Sequence, residues 1–238
     1  MSAHALHAKP FVPHPYGYLV ERRAFPPESI PEAAYQRLCD RYAAVTDVRV
    51  ERVTYPSHDG LSITGLIARP ALSQPLKGLV MYQRGGSGDF GMLTLHAVMR
   101  QCVPLAQAGY VVAASNYRGN DGGEGQDEFG GNDVQDCLAL APLAATYAGL
   151  DEHTPRFAVG HSRGCMMTYL MLKQGFAARA AVCIAGVVEL RNWNLFRSEM
   201  REKVYQRYIP DFEKREDEAL TERSAIAWPE AISAPVLL

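Results

Sequence analysis

The sequence predicts an α/β fold: a mostly parallel sheet with helices on both faces, led by an antiparallel hairpin. Three observations predict it. Between residues 77 and 186, short apolar runs alternate with helix-forming segments. That alternation marks parallel strands joined by crossover helices. Each strand candidate there is a continuous apolar run, such as Gly-Leu-Val-Met-Tyr at 78–82, which suits strands buried on both faces. Ahead of them, residues 47–56 alternate Val48, Val50 and Val53 with polar residues, the pattern of a half-buried strand.

The totals are those of an ordinary globular chain. With 238 residues, 47% hydrophobic and 21% charged, one domain is the default. A net charge of −2 gives no case for nucleic acid or an acidic membrane surface as a partner. No run approaches the length of a membrane span, and the first ten residues carry no signal-peptide core. The five cysteines, Cys39, Cys102, Cys137, Cys165 and Cys183, are scattered and contain no C-x-x-C. They read as reduced thiols, and the location expected is cytoplasmic. Cys165 reads as a packing residue. If Met1 is removed, Ser2-Ala3-His4 offers amine, amides and imidazole to Cu(II) or Ni(II), but a functionless tail is the preferred reading. No resident metal or cofactor is expected.

In chain order, residues 1–46 form an N-terminal arm and helix, and 47–238 form the α/β domain. Residues 1–26 read as an extended arm rich in Pro, His and aromatics. Pro26-Pro27-Glu28-Ser29 starts a helix that continues over 30–44. Strands at 47–56 and 61–68, joined by the turn His58-Asp59-Gly60, make the hairpin. A strand at 77–82, a helix at 92–108 and a strand at 109–115 follow. The glycine-rich loop 117–131 leads into a helix over 132–147, whose buried face holds Val134, Leu138, Leu140, Leu143 and Ala144. Further strands are expected at 156–160, 179–186 and 235–238. Residues 191–223 break the alternation with charged and aromatic residues, as a helical excursion over the site would.

The chemistry concentrates at Gly160-His161-Ser162-Arg163-Gly164. This G-x-S-x-G sits between a strand and a helix, the setting of a nucleophile elbow. The sharp turn exposes Ser162 as nucleophile and aims the Arg163 N–H at a developing oxyanion. Gly160 and Gly164 are required because side chains there would collide with the neighbouring strand and helix. Gly85 or Gly86 is expected to give a second oxyanion donor, with the Tyr82 hydroxyl a further candidate.

These residues resemble the catalytic domain of the prolyl oligopeptidase family of serine peptidases, within the α/β-hydrolase fold. The resemblance rests on Tyr82-Gln83-Arg84-Gly85-Gly86, Asn116-Tyr117-Arg118-Gly119, Phe129-Gly130-Gly131-Asn132-Asp133, the elbow, and Ala234-Pro235-Val236-Leu237-Leu238. It covers roughly residues 48–238 and implies cleavage of peptide, amide or ester bonds through an acyl-enzyme on Ser162. The substrate expected is a peptide or a small ester or amide.

A serine needs a base to take its proton and an acid to orient that base. In this fold the chain order is serine, acid, histidine. All seven histidines, His4, His7, His14, His58, His96, His153 and His161, precede Ser162. Asp211 and Asp217 follow it but read as a solvated face. No triad acid or histidine is therefore assigned within the chain. The expectation is a C-terminally truncated domain, its last strand or strands missing and its activity weak or absent. An unfinished apolar sheet edge is expected to favour self-association.

Three alternatives stand beside this reading: a non-catalytic fragment or pseudoenzyme, a carboxylesterase, and an NADP-binding Rossmann protein. The last rests on Gly86-Ser87-Gly88-Asp89-Phe90-Gly91, a G-x-G-x-x-G between strand and helix.

Overall fold

The structure is a computed structural model that describes residues 5–11, 32–71 and 74–238. The expected helix start at 26–29 and the Ser2-Ala3-His4 chelate lie outside the described residues. Chain order runs β1 (His7–Pro10), α1 (Glu32–Ala43), β2 (Val48–Pro56), β3 (Ser62–Pro70) and β4 (Leu79–Gln83). A composite helix, α2, follows, made of Leu95–Ala97, Val98–Cys102 and Val103–Gln107. Next come β5 (Val111–Ser115), α3 (Asp133–Tyr147), β6 (Arg156–His161), α4 (Arg163–Lys173) and β7 (Ala180–Ile184). The excursion holds α5 (Leu190–Phe196), α6 (Arg201–Tyr205 continued by Gln206–Tyr208) and α7 (Phe212–Glu222), and β8 (Val236–Leu237) follows it.

The strands join in one eight-stranded sheet of order β1-β2-β3-β5-β4-β6-β7-β8. β1, β2 and β3 run antiparallel, as does the β3–β5 pairing. From β5 through β4, β6 and β7 to β8 every pairing is parallel. The expected fold is thus present: a largely parallel sheet led by an antiparallel hairpin.

Alternation along the central strands divides the core into two layers. Met81, Val111 and Ala113 pack with α3 and α4 on one face. Val80, Tyr82, Val112 and Ala114 pack with Val98, Cys102 and Ala106 of α2 on the other. Both faces are covered, which is why these strands read as unbroken apolar runs.

Two features differ from the sequence reading. The arm contributes a real strand, β1, which pairs with β2 in the register His7↔Thr54 to Pro10↔Glu51. Its residues are mostly exposed, so it is held by main-chain bonds and carries no hydrophobic alternation to read. The helix expected over 92–108 starts at Leu95 and has a π turn at Val98–Cys102. Pro104, in the next turn, has no N–H to donate, and the wider turn absorbs the missing bond. Among the described residues no helix is long and apolar enough to cross a membrane.

Candidate active site

The elbow arises where β6 ends. Ser162 has φ 54° and ψ −121°, a conformation rarely held by a non-glycine residue and found where the surroundings enforce it. The enforcement is visible. Ser162 N–H donates to Ile184 O at 2.9 Å, and Cys165 N–H donates to Ser162 O at 3.0 Å. The two elbow glycines are there for space. A Cβ on Gly160 would overlap the Gly164 carbonyl in the first turn of α4, and one on Gly164 would overlap the Gln83 carbonyl of β4. β4 and β6 are neighbours with Gln83 opposite Gly160, so the loop after β4 lies beside the elbow. A Cβ on Gly85 would stand 3.2 Å from Ser162 Cβ.

The Ser162 side chain makes no capping bond to α4 and lines a cavity of about 350 Å³. Gly86, Arg163 and Met166 line it from the domain, and Leu190, Trp193 and Tyr205 from the excursion. From Leu190 to Tyr205 this segment borders the cavity that Ser162 lines. Tyr205 anchors that segment. Its ring lies 5.7 Å from Phe129 and 5.8 Å from Phe212.

Of the expected oxyanion donors, Arg163 begins α4 and Gly86 lines the cavity. Tyr82 lies elsewhere. It is buried in the layer that packs on α2, it is not part of the cavity lining, and burial pushes its phenol well above the usual range.

Sequence reasoning missed the side chain of Arg163. Its guanidinium is buried and donates to Asp127 at 2.8 and 2.7 Å and to Asp133. It also donates to Gly86 O at 3.0 Å. It lies 4.8 Å from the Tyr117 ring centroid and 4.6 Å from that of Phe129. The two carboxylates respond oppositely. Burial works against ionising either one. Asp127 is nevertheless held below the usual carboxylate range by the charge and hydrogen bonds of Arg163, aided by the N–H groups of Gly88 and Phe129. Asp133, fully buried and close to the Asp127 charge, is pushed up to about 6.

Arg84 was also unread. It is 1% exposed, and among the described residues it hydrogen-bonds only to backbone carbonyls, those of Asn116, Gly85, Phe90 and Gly88. These bonds bear on the dinucleotide alternative. The carbonyls of the 86–91 loop face a guanidinium of the same chain, and Gly88 N–H donates to Asp127 at 2.9 Å. The loop is tied inward by its own residues.

Asp211 and Asp217 are exposed and pair with Lys214 and Arg191. His161 ends β6 beside Gly85. Cys165 is buried, and a contact with Cys183 together with burial pushes its thiol well above the ordinary value, so it remains neutral packing. Among the described residues no cluster of three metal-ligating side chains occurs.

Comparison with known proteins agrees with this geometry. Residues 96–238 match the prolyl oligopeptidase family. The chain is 30% identical over 221 residues to the uncharacterised peptidase YtmA of Bacillus subtilis, covering 92% of this chain and 77% of that protein. It superposes on the acylaminoacyl peptidase of Pyrococcus horikoshii with a TM-score of 0.64 at 19% identity, over 82% of this chain and 32% of that one. It also superposes on an acetyl xylan esterase from Paenibacillus sp. R4, with a TM-score of 0.60 at 13% identity, over 96% and 79%. The chain thus spans about a third of the acylaminoacyl peptidase, and at these identities the two structures speak for the fold. The family match, the peptidase relative and the serine elbow together place the chain in the prolyl oligopeptidase family of serine-type peptidases.

Proposed function

We propose that this domain cleaves peptide, amide or ester bonds through an acyl-enzyme on Ser162. The observation that carries the reading is the strained elbow, which opens Ser162 into a cavity between two loops able to donate N–H groups. Ser162 Oγ attacks the carbonyl carbon and loses its proton to a base. The carbonyl electron pair moves onto oxygen, which lies toward the N–H groups of Arg163 and Gly86. Collapse of this intermediate breaks the bond to the leaving amine or alcohol, which takes up a proton. Water then releases the acyl group by the same steps.

No histidine follows Ser162 in the 238 residues. For this chain by itself, proton removal falls to solvent or buffer. A preorganised oxyanion site without its base still accelerates acyl transfer by roughly 10³ to 10⁴ over water. Slow, Ser162-dependent turnover is the consequence, faster on p-nitrophenyl esters than on p-nitroanilides because the phenolate leaves without a proton. Added imidazole should speed the Ser162-dependent part, since it supplies the missing base. Hydrolysis identical in the parent and Ser162→Ala, with and without imidazole, would sink the reading and leave a non-catalytic domain.

A further inference from the structure

We propose that Arg84 is a positioning residue for the oxyanion site: its guanidinium holds the loop after β4 so that Gly86 N–H faces the cavity. The proposal rests on the reading of Ser162 as nucleophile.

A buried guanidinium is normally matched by a carboxylate, because an unpaired buried charge is costly. Arg163 follows that rule and Arg84 does not. Arg84 Nε and one terminal nitrogen donate to Asn116 O at 3.1 and 2.8 Å. The remaining bonds go to Gly85 O and Phe90 O at 3.1 Å each, and to Gly88 O at 3.2 Å. Its flat face lies 4.7 Å from the Tyr117 ring centroid. The Tyr117 hydroxyl donates back to Arg84 O at 2.9 Å. One cation thus gathers the carbonyls of Gly85, Gly88 and Phe90 in the loop after β4 and ties them to Asn116, just past the end of β5.

Peptide planarity turns this into orientation. In a trans peptide the C=O of one residue and the N–H of the next point in opposite directions. Gly85 O faces Arg84, so Gly86 N–H points away from Arg84; Gly86 lines the cavity, and the proposal directs that N–H into it. Gly86 O is taken by Arg163, which fixes the next peptide plane as well. Gly86 has φ 74°, within the region glycine adopts freely. Two guanidinium groups, one behind the loop and one beneath the elbow, thus set consecutive peptides next to Ser162. A lysine at position 84 would keep the charge, but one ammonium cannot reach this spread of carbonyls in the planar fork arrangement.

The test pairs a rate with a structure, using Arg84→Lys and, should that variant fail to fold, Arg84→Gln, which buries no charge. An alkyl fluorophosphonate phosphonylates a serine through a transition state whose phosphoryl oxygen occupies the oxyanion site. Saturation kinetics of its reaction with Ser162 separate KI from the bonding rate constant. The expected result is a fall in the rate constant of roughly 100-fold, the lower end of what losing one oxyanion donor costs, with KI changed less than threefold. Crystal structures of parent and variant should show the Gly85–Gly86 peptide rotated while Ser162 keeps its backbone angles. A rate constant within threefold of the parent in a folded variant overturns the proposal, as does an unmoved Gly85–Gly86 peptide. A parent chain that never reacts refutes the hydrolase reading instead, and the peptide orientation then decides the positioning claim by itself.

Discussion

At the scale of single residues, the site is set by what cannot be larger and what cannot be uncharged. Gly164 is the tightest case. A Cβ there would meet the Gln83 carbonyl inside a hydrogen-bonded sheet, and neither backbone can yield cheaply. Gly164→Ala should cost about 3 kcal/mol in urea unfolding and displace the elbow. The buried pair around Arg163 gives a pH signature. Asp127 sits below its unfolded value of about 3.9, so the stability it contributes is present above about pH 4 and is lost as the pH falls below that. Asp133 is raised to about 6, so its folded form favours the proton, and stability rises as the pH falls from about 6 to 4. Thermal midpoints should therefore be higher at pH 5 than at pH 7 and drop below pH 4. Asp133→Asn should remove the rise between pH 7 and pH 5; an unchanged slope would assign it to another group. The Arg163 pairing and its pH signature were not legible in the sequence. Gly160, Ser162 and Gly164 announce themselves because they lie within five positions. Arg163 and its carboxylates are separated by 36 and 30 positions, and only the fold brings them together.

At the scale of elements, the strands buried on both faces were legible because burial writes a continuous apolar run. β1 was not, since its pairing with β2 depends on main-chain bonds that any sequence can make. The π turn in α2 was not either, although Pro104 signals some interruption. The excursion was legible only as a break in alternation. Its helices acquire meaning through Tyr205, 1% exposed between Phe129 and Phe212. Tyr205→Ala removes that anchor and should destabilise the domain by about 3 kcal/mol. It should also weaken KI for long-chain phosphonates more than for short ones, as chain-length series on parent and variant would show. Equal effects at all chain lengths would place Tyr205 outside the acyl site.

At the scale of the whole molecule, the order β5-β4-β6 puts the chain's reversal of direction at β4, with the loops after β4 and β6 side by side. Ligands in open α/β sheets bind at such a switch point, beyond the carboxyl ends of the strands. The placement of Ser162 is tested most directly by fluorophosphonate labelling followed by peptide mapping. The predicted result is slow modification confined to the peptide carrying Ser162, accelerated by imidazole and absent in Ser162→Ala. Modification at another residue, or none after prolonged exposure with imidazole present, would contradict the assignment of Ser162 as the nucleophile.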